Sequence, residues 1–209
     1  MSTGTRPRAA RKSREERARE IADEARSIAL EQGLSAVTLR AIAARAGVTA
    51  PLVSHYEPNM DALVASTFTS ITTQELDEVV SAAEAAATPV ERLSLLLDAS
   101  LDGARQEVTV VWVEAWALGR RNETLATAVR EQMDAWQSVF VLAIEAGVES
   151  GDFRAADPDG VAWQLLGMVD GINAQALVRW GETRQRGTLM LGAAEGMLGL
   201  RPGALAPTR

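Results

Sequence analysis

Residues 38–56 read Thr-Leu-Arg-Ala-Ile-Ala-Ala-Arg-Ala-Gly-Val-Thr-Ala-Pro-Leu-Val-Ser-His-Tyr, and their spacing decides the fold. Leu39, Ile42, Ala43 and Ala46 recur at helical intervals, Gly47 interrupts them, and Val48, Leu52 and Val53 resume the apolar pattern around a Thr49 cap. The spacing predicts two short helices with a sharp turn between them. Ala43 lets the helices cross closely, and Gly47 can take a positive φ where the chain reverses. A helix-turn-helix of this kind lays its second helix in the major groove of DNA while the first crosses the backbone. An ordinary helical hairpin in an all-α core has the same spacing, so the rest of the chain must separate the two.

The chain has 209 residues, of which 47% are hydrophobic, enough for a head of about 60 residues and one larger helical body. It has no cysteine, which excludes a disulfide framework, thiolate metal sites and a cysteine nucleophile, and fits a reducing cytosol. The lone His55 excludes a histidine metal cluster, so neither a metal nor a cofactor is expected. The basic start is not followed by an apolar signal core, and no run approaches the roughly 18 apolar residues of a membrane span. A cytoplasmic protein is expected. All but one of the 21 basic residues are arginine, which with the abundant alanine and glycine suggests a high-GC bacterial genome. The net charge of −7 is unevenly spread. Residues 1–60 hold ten basic residues against seven acidic ones, whereas residues 61–209 hold 11 against 21. The positive end is the end with the motif, as phosphate affinity requires.

Residues 1–12 lack periodicity and read as a disordered basic arm. Ser13-Arg14-Glu15-Glu16 is a capping box that starts a helix whose apolar stripe lasts to Gln32, with Gly33 as its stop. Beyond the motif, Asn59 caps a long helix to about Ala87, and Thr88-Pro89-Val90-Glu91 and Asp157-Pro158 mark further starts. Helices are expected over roughly 90–105, 107–119, 122–149, 158–180 and 183–198. The resulting class is all-α: a three-helix head (13–58), a six-helix body (59–200) and a Pro/Gly tail (201–209).

This arrangement resembles the TetR family of bacterial transcriptional regulators. The resemblance is closest over about 13–64: Glu-Gln-Gly-Leu at 31–34, Val-Thr-Leu-Arg-Ala-Ile-Ala-Ala-Arg-Ala-Gly-Val at 37–48, then His55-Tyr56, Pro58 and Asp61-Ala62-Leu63. Trp112 to Arg121, Gly151-Asp152-Phe153-Arg154 and Asp170-Gly171 resemble the family's choline-regulator-like regulatory domains. The resemblance implies a homodimer whose heads read a palindromic operator in double-stranded DNA, released when the body binds a small-molecule effector. By position, Thr38, His55 and Tyr56 would contact phosphates, and Thr49, Ala50, Pro51 and Ser54 would face bases. Ser54, Glu57 and Met60 depart from the family pattern; Met60 stands where a phosphate-binding lysine is usual. Residues 49–56 also lack any Arg, Lys, Asn or Gln for a bidentate base contact. Electrostatic holding is therefore expected from Arg6, Arg8, Arg11, Lys12, Arg14 and Arg45.

In the body, Trp112 and Trp116 share a helix face, and Trp136 with Phe140 and Trp163 with Met168 add bulk at related spacing. Core packing accounts for such residues as readily as a pocket does. Read as a pocket, Trp112, Trp116, Trp136, Phe140, Trp163 and Met168 would hold an apolar or amphipathic compound. Glu114, on the face opposite Trp112, is expected to pair with an arginine, and the mid-helix Asp170 and Asn173 read as structural. Gly167, Gly171, Ala174 and Val178 in one late helix, and Leu189, Ala193 and Met197 in the other, would suit a dimer seam. Packing within one subunit is the other use of such a face. No nucleophile, metal set or phosphate loop supports an enzyme. A helical small-molecule carrier or a membrane-surface protein that does not bind DNA is the alternative, although the alanine-rich first helix lacks interfacial anchors.

Overall fold

The Ser13 hydroxyl accepts the Glu16 N–H at 3.1 Å while the Glu16 carboxylate takes the Ser13 N–H at 2.6 Å. This reciprocal pair opens α1 (Arg14–Gln32). The computed structural model describes residues 13–101, 103–181 and 183–205, so Arg6, Arg8, Arg11 and Lys12 lie outside the described residues. Among the described residues there is no strand, and α1 is followed by α2 (Leu39–Arg45), α3 (Ala50–Tyr56), α4 (Met60–Ala82) and α5 (Pro89–Ser100). Then come α6 (Gln106–Gly119), α7 (Glu123–Ser150), α8 (Pro158–Leu177) and α9 (Thr183–Met197), with short 3₁₀ turns at Leu34–Ala36 and Gly103–Arg105.

The caps explain most of these starts. Thr38, Asn59, Thr88, Asn122 and Asp157 each accept a backbone N–H from three residues on, at 3.0–3.2 Å. Each cap of this type contributes about 1 kcal/mol. Thr49 differs from expectation, because its side chain makes no cap bond to α3. Pro51 in the first turn removes one orphan N–H instead, and the Thr49 hydroxyl stays exposed. The turn between α2 and α3 has the expected form: Gly47 sits at φ 64°, and the Val48 N–H reaches back to the Ala43 carbonyl at 2.9 Å.

Three helix ends come earlier than the sequence suggests, each for a local reason. α4 stops at Ala82 rather than Ala87, because tight three-residue turns take over from Ala83 onward. α5 stops at Ser100 rather than Arg105, where the Arg105 guanidinium donates to the Ala99 carbonyl at 3.2 Å. α8 ends at Leu177 rather than Trp180: Arg179 adopts φ 57°, and the Trp180 N–H bonds the Gln175 carbonyl at 3.2 Å.

Two apolar cores are stacked along the chain. One joins Ile21, Ile28, Ile42 and Val53 of the head to Leu63, Phe68 and Ile71 of α4, Val111 and Ala115 of α6, and Leu125 of α7. The other collects Val79, Leu93, Leu97, Phe140, Ile144, Leu165, Met190 and Leu198. Both α4 and α7 run through the two cores, and α6 crosses between them. The tail is tied down as far as Leu205, which is wholly buried and donates its N–H to the buried Glu195 carboxylate at 2.9 Å.

Candidate functional site

The head presents α3 with only Val53 buried, while Thr49, Pro51, Ser54 and His55 are exposed. Ala50 and Tyr56 pack partly on the core, and Tyr56 meets His55 edge to face with ring centroids 5.3 Å apart. The Thr38 hydroxyl oxygen accepts the Ala41 N–H, which leaves its own O–H free to donate outward. Met60 packs against the core at the start of α4 and offers no charge there.

Arg45 departs from the role expected of it. Its guanidinium spans the Glu31 carboxylate at 2.6 and 2.9 Å and reaches Glu24 at 3.1 Å, clamping α2 onto α1. The Glu31 hydrogen bond raises the Arg45 pKa well above its usual value, and Arg45 in turn lowers that of Glu31. The guanidinium stays charged, but all three of its nitrogens are engaged, so a phosphate would have to compete with Glu24 and Glu31 for it. Arg40, which the sequence reading did not single out, is exposed and makes no ion pair or hydrogen bond among the described residues.

Between the two cores, α4, α6, α7 and α8 leave a cavity of about 380 Å³, within the size range of small-ligand sites. Trp112, Trp116, Trp136 and Trp163 all line it, three of them partly or wholly inside the protein and Trp163 67% exposed at the rim. Trp112 is fixed from two sides: it stands edge-on to Phe68 at 5.0 Å, and its indole N–H donates to Glu75 at 2.9 Å. Phe140 and Met168, expected at this wall, do not reach it. Phe140 lies one turn beyond Trp136 and is fully buried in the distal core, and Met168 packs partly against that core, so neither borders the cavity.

Three carboxylates, Glu75, Asp134 and Asp170, also line the cavity. Burial pushes the Glu75 carboxyl above its usual range; the Trp112 N–H and the nearby Arg105 pull it back, and the charges of Asp170 and Glu78 push it up further. Asp170 is raised to about 6 by burial, and among the described residues it makes no hydrogen bond or ion pair. Asn173, a turn further on, lines the same wall and donates to the Ser100 carbonyl at 2.9 Å. Desolvated carboxylates among indole faces suit an organic cation, which gains from the ring quadrupoles and from the ionic charge together. A purely apolar compound would leave Asp170 without a partner.

The cavity is mechanically linked to the head through α6. Thr109, Trp112, Val113 and Trp116 point at the cavity from one face of that helix. On its other side the Glu114 carboxylate accepts the Ser35 backbone N–H at 2.7 Å. Glu114 therefore ties down the turn that leads into α2, rather than pairing with an arginine as expected. Gly33 is required at this contact: it sits at φ 90°, and a Cβ there would lie 2.5 Å from the Glu114 carboxylate.

The residues expected at a dimer seam do not form one cluster within the subunit. Gly167 lines the cavity, Gly171 and Ala174 are half-buried, and Val178 and Leu189 are 77% and 66% exposed. Ala193 is half-buried and Met197 packs partly on the distal core. A Cβ built on Gly167, Gly171, Gly192 or Gly196 would meet nothing within 4 Å, so the subunit itself makes no use of the close approach these glycines allow. Among the described residues no helix is long and apolar enough to cross a membrane.

Comparison with known proteins covers both halves of the chain. A family model described as bacterial regulatory proteins of the tetR family matches residues 21–67, and one described as BetI-type transcriptional repressor, C-terminal, matches residues 89–194. The HTH-type transcriptional regulator BetI of Rhizobium meliloti (strain 1021) is 28% identical over 158 residues, which is 75% of each chain. Among solved structures, a putative transcriptional regulator from Saccharomonospora viridis in complex with choline superposes with a TM-score of 0.78 at 21% identity, covering 88% of this chain and 98% of that one. A TetR transcription regulator from Haloarcula marismortui ATCC 43049 gives 0.76 at 22% identity, covering 88% and 99%.

Proposed function

Since the chain belongs to the TetR family of transcriptional regulators, with a BetI-type carboxyl-terminal domain, and is thus a DNA-binding regulator, we propose that it is a repressor released from its operator by an organic cation of the quaternary-ammonium class. One observation carries the choice of ligand: Asp170, an unpaired and desolvated carboxylate, shares a cavity with four tryptophans. A cation there gains the Coulomb attraction that Asp170 now lacks, and about 0.5–2 kcal/mol from each well-placed indole face. Choline, the ligand named for the Saccharomonospora structure, belongs to the same chemical class.

Release follows from the placement of α6. A cation seated against Trp112 and Trp116 shifts that helix, and Glu114 on its far side carries the shift to Ser35 and so to the entry of α2. The cavity and the head are then two sites biased by one element, as coupling requires. The exposed apolar and glycine-lined faces of α8 and α9 support a homodimer, whose two heads would match a palindromic site.

Tryptophan fluorescence titrated with choline, and with its neutral carbon isostere 3,3-dimethylbutan-1-ol, tests the ligand class. The cation should bind at least about tenfold tighter, because the isostere forfeits both the ionic and the cation–π terms. Equal binding of the two would return the cavity to an apolar ligand.

A further inference from the structure

The cavity has a desolvated end and an open end. Along α8 its wall runs from Trp163 through Leu166, Gly167 and Asp170 to Asn173, roughly 15 Å at about 1.5 Å per residue. A sphere of about 380 Å³ would be only about 9 Å across, so the space is drawn out along the helix. Trp163 and Asp170 are two turns apart, which returns them to the same helix face at a separation of about 10 Å. Gly167 lies between them, and a Cβ built there would meet nothing within 4 Å.

The two ends differ in chemistry. Asp170 is desolvated and Asn173 beside it is held by the Ser100 carbonyl at 2.9 Å, so the charged end is the inner one. At the other end Trp163 is 67% and Met133 41% exposed, and both line the cavity. Two large apolar side chains open to water at a cavity mouth gain from an apolar group that covers them. The polar side chains that α7 adds to this wall already have partners or water. Gln137 donates to Asp159 at 3.0 Å, Arg130 donates to Glu123 at 2.7 Å and to Thr127 at 2.9 Å, and Asp134 is exposed. A compact cation such as choline reaches Asp170 but leaves the mouth uncovered and much of a volume suited to a drug-sized molecule unfilled.

We propose that the ligand is a single-chain cationic amphiphile, with a quaternary ammonium seated at Asp170 and Trp112 and an unbranched apolar chain that runs past Leu166 and Gly167 to emerge at Trp163 and Met133. This rests on the reading that the cavity takes an organic cation and adds the tail to it. The path of about 10 Å from Asp170 to Trp163 corresponds to about eight carbons of an extended chain.

The experiment is a calorimetric titration of the full chain with tetramethylammonium and its butyl-, octyl- and dodecyltrimethylammonium homologues, all below micelle-forming concentrations, and with octan-1-ol. From butyl to octyl the affinity should rise about threefold or more for each methylene buried, and dodecyl should gain less than about threefold over octyl, because its last carbons lie outside. Octan-1-ol should bind at least about tenfold weaker than octyltrimethylammonium. Met133→Ser, a change at a partly exposed position, should cut the octyl-to-tetramethyl affinity ratio about fivefold. A series that is flat from tetramethylammonium to octyl would overturn the tail and leave the cation reading standing. A rise that continues at the same rate to dodecyl, or a ratio unmoved by Met133→Ser, would overturn the exit at Trp163 and Met133. Octan-1-ol binding as tightly as its ammonium counterpart, or no probe binding at all, would sink the cation reading and the tail with it.

Discussion

Arg45 in the head and Asp170 in the body are both charged groups drawn close to other protein atoms, and the fold treats them in opposite ways. Arg45 is surrounded by two carboxylates and holds α2 to α1. Asp170 is desolvated, raised to about 6, and given no counter-charge among the described residues. A compensated charge at the surface is a structural clamp, whereas an uncompensated one inside a cavity costs stability that only a ligand restores. On this contrast the head compensates Arg45 within its own structure and the body keeps Asp170 open.

Substituting the open charge should have the largest effect. Asp170→Asn should lower affinity for a quaternary ammonium by about a hundredfold, from loss of a desolvated ion pair. It should also stabilise the free protein at pH 7 by about 2–3 kcal/mol, because a carboxyl raised from 3.8 to about 6 opposes folding whenever it is ionised. Calorimetric titration and thermal melts measure the two effects. Opposite signs for binding and stability would separate a ligand group from a packing group, which would lose both.

The same group gives a pH signature. Asp170 has a folded pKa above its unfolded one, so its favourable contribution is complete below about 3.8 and is lost as pH rises through about 6. Cation affinity runs the other way, falling about tenfold per unit once the pH drops well below 6, where Asp170 is protonated in the free protein. Affinities measured from pH 5 to 8 should show this bend in the native protein and not in Asp170→Asn. Glu75, also raised, adds to the trend in the same direction.

Next in size is the link between the two regions. Glu114→Ala removes the acceptor of the Ser35 N–H and should leave the separate affinities for cation and for DNA nearly intact. The factor by which each ligand weakens the other should shrink by about tenfold, within the range that coupling residues command. DNA-binding anisotropy with and without choline measures this. If the coupling factor is unchanged while the melting temperature falls, Glu114 is only a structural tie.

The smallest effect sharpens the head. Arg40→Gln should lower the log–log salt slope of DNA binding by about 0.9, the value of one phosphate contact, while Arg45→Gln should leave the slope unchanged. A drop with Arg45→Gln and none with Arg40→Gln would reverse the assignment.

The fold was largely legible because helix starts are local events. Ser13, Asn59, Thr88, Asn122 and Asp157 announce their helices within four residues, and Gly47 supplies the one backbone conformation the turn needs. The sites were less legible because their partners are distant. Glu114 falls opposite Trp112 as the spacing predicts, but its partner is a backbone N–H 79 residues away, which no spacing rule reaches. Arg45 finds its carboxylates 14 and 21 residues back, on another helix. Glu75 sits in a polar stretch of α4 that reads as surface, and Asp170 in a mid-helix position that reads as structural. Only the convergence of α4, α6, α7 and α8 turns both toward the tryptophans. Phe140 shows the converse, since it repeats the helical spacing of Trp136 and shares its core, yet one turn further along α7 it lies beyond the end of the cavity.

The most direct test measures the affinity for an operator, selected from a random duplex pool, with and without choline at about twenty times its native Kd, a concentration that leaves a hundredfold-weaker site mostly empty, in the native protein and in Asp170→Asn. Native protein should lose DNA affinity by at least about tenfold in the presence of the cation, and Asp170→Asn should bind the same DNA equally well and not respond. A variant that still responds fully, or a native protein that binds choline while its DNA affinity stays unchanged, would contradict the assignment of Asp170 and its cavity as the switch.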